Sequence, residues 1–217
     1  MEIENALVRA LNRAALDLQQ LSTVVREREL EESLVARLGE SLPGSVSRQA
    51  RLNLEGWRGV GNCDVVVVSN DGNAPNLLEL KWGAGTLYNC IWDAAKLATA
   101  LHEGAARRAY LVAGAPASDW QSGQRGAELF GSKLWDVPEF MDHYRREFAY
   151  WKGDVNTHPE ILPRSFSTKS LCSIDAEIEG HQWQLRCARV VTMNGATVRV
   201  DDGHETESTT DARRPTH

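Results

Sequence analysis

Apolar residues recur at helical spacing over the first part of the chain. Leucines and alanines repeat every three or four positions within residues 2–21, which predicts an amphipathic helix. The same spacing within residues 22–44 predicts a second helix, and Pro43-Gly44 lies beyond its end. The predicted apolar face of this second helix consists of Leu30, Leu34, Val35 and Leu38.

After these helices the pattern changes to short apolar runs that are typical of strands. Residues 46–56 alternate loosely, residues 63–68 are CDVVVV, and residues 76–82 are NLLELKW. A long helix is predicted over residues 86–104 and a fourth strand over residues 108–116. The order helix, strand, strand, strand, helix, strand predicts an α/β fold in which helices flank a sheet.

The second half of the chain predicts further elements. Short helices are predicted over residues 123–131 and 136–151, and a β-hairpin over residues 171–191 turns at Glu179-Gly180-His181. Residues 196–200 predict a last strand. The predicted organisation is an N-terminal helix (1–24), a core (25–115), a helical and β-hairpin extension of the same domain (116–200) and a disordered acidic tail (201–217).

The second and third strands are predicted to form a hairpin that brings two acids together. Asp71-Gly72 is a dipeptide that tight hairpin loops favour. With a two-residue loop, Asp64 lies directly opposite Glu79, and Lys81 shares that face because side chains alternate along a strand. Pro75 would widen the loop, and a slip of one residue would put the acids on opposite faces. The other face carries Leu78, Leu80 and Trp82.

Two opposed carboxylates next to a lysine suit metal-assisted hydrolysis. Like charges directly across a strand pair are destabilising, and a divalent cation would offset them. We predict that Asp64, Glu79 and the Leu80 carbonyl bind Mg²⁺ or Mn²⁺, which would polarise a phosphoryl oxygen and activate a water. Lys81 would orient that water or stabilise developing charge. The alternative is an ordinary strand-edge salt bridge.

Composition narrows the class of protein. The chain has 217 residues, 42% of them hydrophobic and 25% charged, which is typical of a globular domain. It has no apolar run of bilayer-spanning length and no signal-peptide pattern, so we expect a cytoplasmic protein without a membrane partner. The four cysteines form no CxxC pair, which favours free thiols over zinc. The net charge of −6 argues against coating nucleic acid by bulk charge.

The segments GNCDVVVV and LLELKW, together with the order of elements, resemble the PD-(D/E)XK nuclease superfamily. The resemblance covers residues 27–115, with Asp64, Glu79 and Lys81 in the motif positions and Cys63 at the variable position of the "P". It implies a restriction-endonuclease-like core of α-β-β-β-α-β order and Mg²⁺-dependent hydrolysis of nucleic-acid phosphodiester bonds, mostly in DNA. A homodimer would suit cleavage of both strands.

The resemblance also implies functional roles for residues outside the motif. Many members carry a glutamate on the first core helix, and the candidates are Glu27, Glu29, Glu31 and Glu32. Glu31 is favoured because it shares the inward face of the helix, with Glu27 one turn earlier on that face; a solvated acidic helix start is the alternative. The helix after the motif often lends a basic residue, so Lys96 is a candidate for phosphate contact. A surface pair of Lys96 with Asp93 is the alternative.

Two residues before Asp64 are candidates for substrate binding. Trp57 lies in a glycine-rich segment, where it could stack on a base or belong to a lid, and Arg58 could follow a phosphate backbone. Three functions therefore remain open: a metal-dependent nuclease, a catalytically silent binding module of the same fold, and an unrelated α/β protein with a surface salt bridge.

Overall fold

Two helices precede the sheet, as the sequence predicts. The computed structural model describes residues 2–21, 25–58, 61–122, 125–138, 158–192 and 195–199. Helix α1 spans Glu2–Gln19 and buries its whole leucine and alanine face, and α2 spans Glu27–Ser41. Arg37 of α2 forms an ion pair with Asp17 of α1 at 3.0 Å, which links the two helices.

A seven-stranded mixed sheet forms the centre of the molecule. Its order is β1-β3-β4-β5-β10-β9-β6, and all neighbours are antiparallel except β4 and β5. The described strands are β1 Gly44–Leu52, β2 Trp57–Arg58, β3 Gly61–Ser69, β4 Asn76–Trp82, β5 Arg108–Pro116, β6 Lys133–Asp136, β7 His158–Pro159, β8 Ile161–Pro163, β9 Ser165–Ile178, β10 His181–Thr192 and β11 Thr197–Arg199.

Helices cover both faces of this sheet. Helix α3, Cys90–His102, follows a 3₁₀ turn at Leu87–Asn89 and connects the parallel strands β4 and β5. It packs on one face, and α1 and α2 pack on the other. Because β4 alternates, Leu78, Leu80 and Trp82 belong to the α1–α2 core, as predicted, while Leu77 contacts the α3 core.

The predicted pairing of the second and third strands is confirmed. Val65 pairs with Leu78, and Val67 with Asn76, which is the register expected from a loop centred on Asp71-Gly72. The predicted two-residue loop is wrong, because β3 ends at Ser69 and β4 begins at Asn76, and of the central pair only Gly72 has a left-handed φ, of 71°. The ladder contains only these three pairs and stops where Asp64 and Glu79 would come next. The strands therefore separate at the two acids.

The C-terminal half completes the same sheet. The predicted hairpin is confirmed, and its strand β10 pairs with β5, which is buried along almost its whole length and needs neighbours on both edges. The first predicted short helix is present as a 3₁₀ helix over residues 125–130, whereas strand β6 at residues 133–136 was not predicted. The last strand pairs with β8 rather than with the main sheet. A short helix, α4, spans Ala117–Gln121.

Two predictions lie largely or wholly outside the described residues. They are the second short helix, of which residues 139–151 are not described, and the disordered tail, residues 201–217. Within the described ranges, no helix combines the length and the apolar character needed to cross a membrane.

Candidate active site

Asp64 lies where β1, β3 and β4 cease to pair regularly. The β1–β3 ladder joins Arg48 to Val65 and Ala50 to Cys63, so Gln49 and Asp64 are omitted from it. Gln49 has a left-handed φ of 49°, which is uncommon for a residue with a side chain. This local distortion lets the Asp64 side chain enter the gap between strands.

Two donors fix the Asp64 carboxylate. Its Oδ2 accepts a 2.7 Å hydrogen bond from the Leu80 backbone N–H, and its Oδ1 accepts one of 3.2 Å from Gln49 Nε2. The Leu80 N–H thus donates to the Asp64 side chain rather than to a backbone carbonyl of the neighbouring strand β3. Asp64 is held in one orientation while it keeps some contact with solvent.

Glu79 lies on the α3 face of β4 and is 2% exposed. Lys96 of α3 places its Nζ 2.7 Å from Glu79 Oε1 and donates a 2.8 Å hydrogen bond to the Asn62 carbonyl. Asp93, one turn earlier on α3, has Oδ1 3.7 Å from the same Nζ. The Asp93–Lys96 pair therefore exists, but it is buried rather than on the surface.

Lys81 connects the two halves of this cluster. Its Nζ lies 2.9 Å from Asp93 Oδ2 and 4.0 Å from Asp64 Oδ2, and it donates a 2.7 Å hydrogen bond to the Leu80 carbonyl. We name the side chains of Asp64, Glu79, Lys81, Asp93 and Lys96 the charged cluster. Asp64 and Lys81 lie at its open side, with side chains 15% and 20% exposed, and the other three are nearly inaccessible.

Burial and like charges perturb the acids and bases of the charged cluster. Burial raises the pKa of Glu79 well above its usual range, Asp93 and Asp64 raise it further, and Lys96 opposes the shift. Burial alone would lower the pKa of Lys81, but the carboxylates of Asp93 and Asp64 raise it above its ordinary value. The Lys81 ammonium therefore stays protonated near neutrality.

The glutamate of α2 that approaches the charged cluster is Glu27 rather than Glu31. Glu27 Oε2 accepts a hydrogen bond from the Trp82 backbone N–H at 3.2 Å, and burial raises the pKa of Glu27 although the nearby Lys81 charge opposes the rise. Glu31 instead forms a 2.7 Å ion pair with Arg48 of β1. The inward face of α2 was predicted correctly, but Glu31, the acid that the sequence favoured, is paired with Arg48 of β1.

Trp57 is a core residue, which corrects the prediction that it could stack on a base or belong to a lid. It is 6% exposed, packs edge-to-face on Trp92 with ring centroids 4.8 Å apart, and donates a 3.0 Å hydrogen bond from Nε1 to Thr99 Oγ1. Its ring is therefore not available to stack on a base. Arg58 belongs to β2, but its side chain lies outside the described residues.

Sequence reasoning missed Gln49, and it placed Asp93 only in a surface pair with Lys96 rather than in the buried cluster. The signal for Asp93 was present, since α3 is apolar almost all round and its few charged residues must lie inside the protein. No sequence signal marks Gln49, because its left-handed backbone and its contact with Asp64 arise from the pairing of β1 with β3.

The donor chemistry of this region fits a hard divalent cation. Asp64 and Glu79 supply carboxylates and Leu80 supplies a carbonyl, the oxygen types that Mg²⁺ and Mn²⁺ prefer. The described residues contain no group of three or more histidine, cysteine or acidic side chains arranged to hold a metal. A cation here would thus rely on two carboxylates and the carbonyl, and Lys81 and Lys96 would have to release the oxygens that they now contact.

Comparison with known proteins adds no assignment. No family model matches the chain, and no match was found among curated proteins or solved structures.

Proposed function

We propose that this protein is a divalent-metal-dependent hydrolase of nucleic-acid phosphodiester bonds, with DNA as its substrate. The observation that carries the proposal is the convergence of Asp64, Lys81 and the Leu80 carbonyl at the open side of a cluster that also contains the buried Glu79. Perturbed acids and bases grouped around an interrupted ladder are typical of catalytic sites.

The proposed core is restriction-endonuclease-like. Helix α2, strands β1, β3 and β4, helix α3 and strand β5 follow each other in the α-β-β-β-α-β order, with the short β2 between β1 and β3. The crossover through α3 joins the parallel pair β4 and β5. This topology supports the resemblance that the motif residues indicate.

In the proposed reaction, Asp64, Glu79 and the Leu80 carbonyl would hold Mg²⁺ or Mn²⁺. When bound, the metal supplies a polarised phosphoryl oxygen and a water of lowered pKa. Lys81 stays cationic and, oriented by Asp93, offers its charge to the phosphate at the open side of the cluster. Asp64 is pre-positioned by the Leu80 amide and Gln49, so its orientation costs little on binding.

The test is cleavage of plasmid DNA, single-stranded DNA and RNA with Mg²⁺ or Mn²⁺. Lys81→Met and Glu79→Gln should each lower the rate by at least about 10²-fold, a loss typical of removing a charge-stabilising group. Lys133→Met is the matched control, because it removes a surface lysine paired with Glu128 and should keep full activity. Unchanged cleavage in both cluster variants would exclude the assignment.

A catalytically silent binding module is the second candidate. The observation that favours it is that Lys81 pairs with Asp93 and Lys96 pairs with Glu79, so that two lysines neutralise two of the acids. Calorimetric titration with Mn²⁺ separates the two candidates. Heat and a thermal shift that Glu79→Gln abolishes support the hydrolase, whereas no response to Mn²⁺ supports the silent module.

A further inference from the structure

Lys96 is a lysine buried among oxygens. It is 7% exposed, and its ammonium group contacts Glu79 Oε1 at 2.7 Å, the Asn62 carbonyl at 2.8 Å and Asp93 Oδ1 at 3.7 Å. All three neighbours are oxygens of the type that a divalent cation would bind. Burying a lysine is unfavourable unless such partners surround its charge.

Lys96 and Lys81 occupy different sides of the charged cluster. Lys81 contacts the Leu80 carbonyl and Asp93 and lies 4.0 Å from Asp64, next to solvent. Lys96 lies on the closed side against Glu79, where its side chain is only 8% exposed. A substrate that approaches from solvent therefore meets Lys81, and direct phosphate contact by Lys96 is disfavoured.

We propose that Lys96 is a built-in counter-ion that competes with the divalent metal for Glu79 and so weakens metal binding. This inference rests on the proposed function, because it requires that Glu79 is a metal ligand. A fixed positive charge a few ångströms from a divalent cation opposes its binding, since the two charges repel across a partly buried site. The same charge keeps Glu79 and Asp93 compatible with the fold when the metal is absent.

Removal of this charge should tighten metal binding. Lys96→Gln retains a donor near the Asn62 carbonyl but carries no charge, so we expect its Kd for Mn²⁺ to fall by about tenfold or more relative to the natural protein. Lys96→Arg retains the charge and should show no such gain. Lys133→Met, which removes one positive charge far from Glu79, controls for the change in net charge.

Isothermal titration with MnCl₂ at fixed ionic strength measures these constants, and thermal unfolding with and without Mn²⁺ supplies an independent readout. In the absence of metal, we expect Lys96→Gln to unfold at a lower temperature than the natural protein. Added Mn²⁺ should raise the unfolding temperature of Lys96→Gln by more than that of the natural protein. Should it not fold without metal, refolding in millimolar Mn²⁺, but not in NaCl of equal ionic strength, supports the proposal; failure to refold in either overturns it.

The outcomes distinguish this inference from the proposed function. If the natural protein binds Mn²⁺ and Lys96→Gln binds it equally or more weakly, the counter-ion role is wrong and the hydrolase proposal stands. If neither the natural protein nor Lys96→Gln binds Mn²⁺, both the metal-dependent function and the inference built on it are excluded.

Discussion

Gln49 donates a hydrogen bond to Asp64 across the position that the β1–β3 ladder omits. The contact joins Gln49 Nε2 to Asp64 Oδ1 at 3.2 Å, and Gln49 has a φ of 49°. A left-handed backbone conformation costs a residue with a Cβ roughly 1–2 kcal/mol. Gln49 therefore holds a strained conformation at the edge of the charged cluster. Strain at such a place is typical of residues that position a functional group.

Substitutions of Gln49 should separate strain from positioning. Both Gln49→Gly and Gln49→Ala remove the side-chain amide, but only glycine relieves the strain of the left-handed backbone. The free energy of unfolding of Gln49→Gly should therefore exceed that of Gln49→Ala by about 1 kcal/mol. Both should bind Mn²⁺ more weakly than the natural protein because Asp64 loses a donor. Urea unfolding and calorimetry measure the two effects. Equal Mn²⁺ affinity in all three proteins would show that Gln49 does not position Asp64.

Stability should depend on pH through Glu79. Because the pKa of Glu79 is raised in the folded protein above its ordinary value of 4.5, the folded state binds this proton more tightly than the unfolded chain. The resulting stabilisation is complete below about pH 4.5 and is lost as the pH rises towards the folded pKa. Glu79→Gln has no carboxyl group at this position, so its stability does not show this loss with rising pH.

The free energy of unfolding of Glu79→Gln minus that of the natural protein should therefore increase with pH. The slope should reach at most about 1.4 kcal/mol per pH unit, the value for one proton, and should level off at the folded pKa. Urea titrations at several pH values without metal measure it. A difference that is flat or falls with pH would contradict the raised pKa.

Trp57→Phe tests the core position of Trp57. The variant loses the hydrogen bond to Thr99 and part of the packing against Trp92, so we expect a loss of about 1–3 kcal/mol in the free energy of unfolding. Affinity for single-stranded DNA, measured by fluorescence anisotropy, should stay unchanged since the ring is buried. A large loss of affinity with unchanged stability would instead indicate a base-stacking role.

The four cysteines should differ in reactivity towards iodoacetamide. All are free thiols, as predicted, and Cys172 is the half-buried one, with a pKa lowered by its hydrogen bond with Cys187. Burial raises the pKa of Cys63 and Cys90. We expect Cys172 to be alkylated first and Cys63 and Cys90 only on unfolding, because the thiolate is the reactive form.

Mass spectrometry of the labelled peptides gives the order of modification. Cys172→Ser should remove the fast phase and leave the slow phases in place. Fast labelling of Cys63 in the folded protein would mean that the β3–β4 gap opens readily, because Cys63 Sγ contacts the Leu78 carbonyl there at 3.3 Å.

The sequence by itself determined the elements around the charged cluster and the pairing of β3 with β4. Apolar periodicity places α1, α2, β3, β4, α3 and β5, and the register predicted for β3 and β4 is the one observed, with Lys81 4.0 Å from Asp64. These features depend on local spacing, which a single chain displays directly.

Only the tertiary structure decided which further residues join them. Arg48 of β1 engages Glu31, so that Glu27 is the α2 acid beside Lys81, and the packing of α3 on the sheet buries Asp93 and Lys96 against Glu79. Trp57 enters the core because α3 offers Thr99 and Trp92 as partners. Such contacts join residues distant in sequence, and their strength depends on burial, which periodicity indicates only for one element at a time.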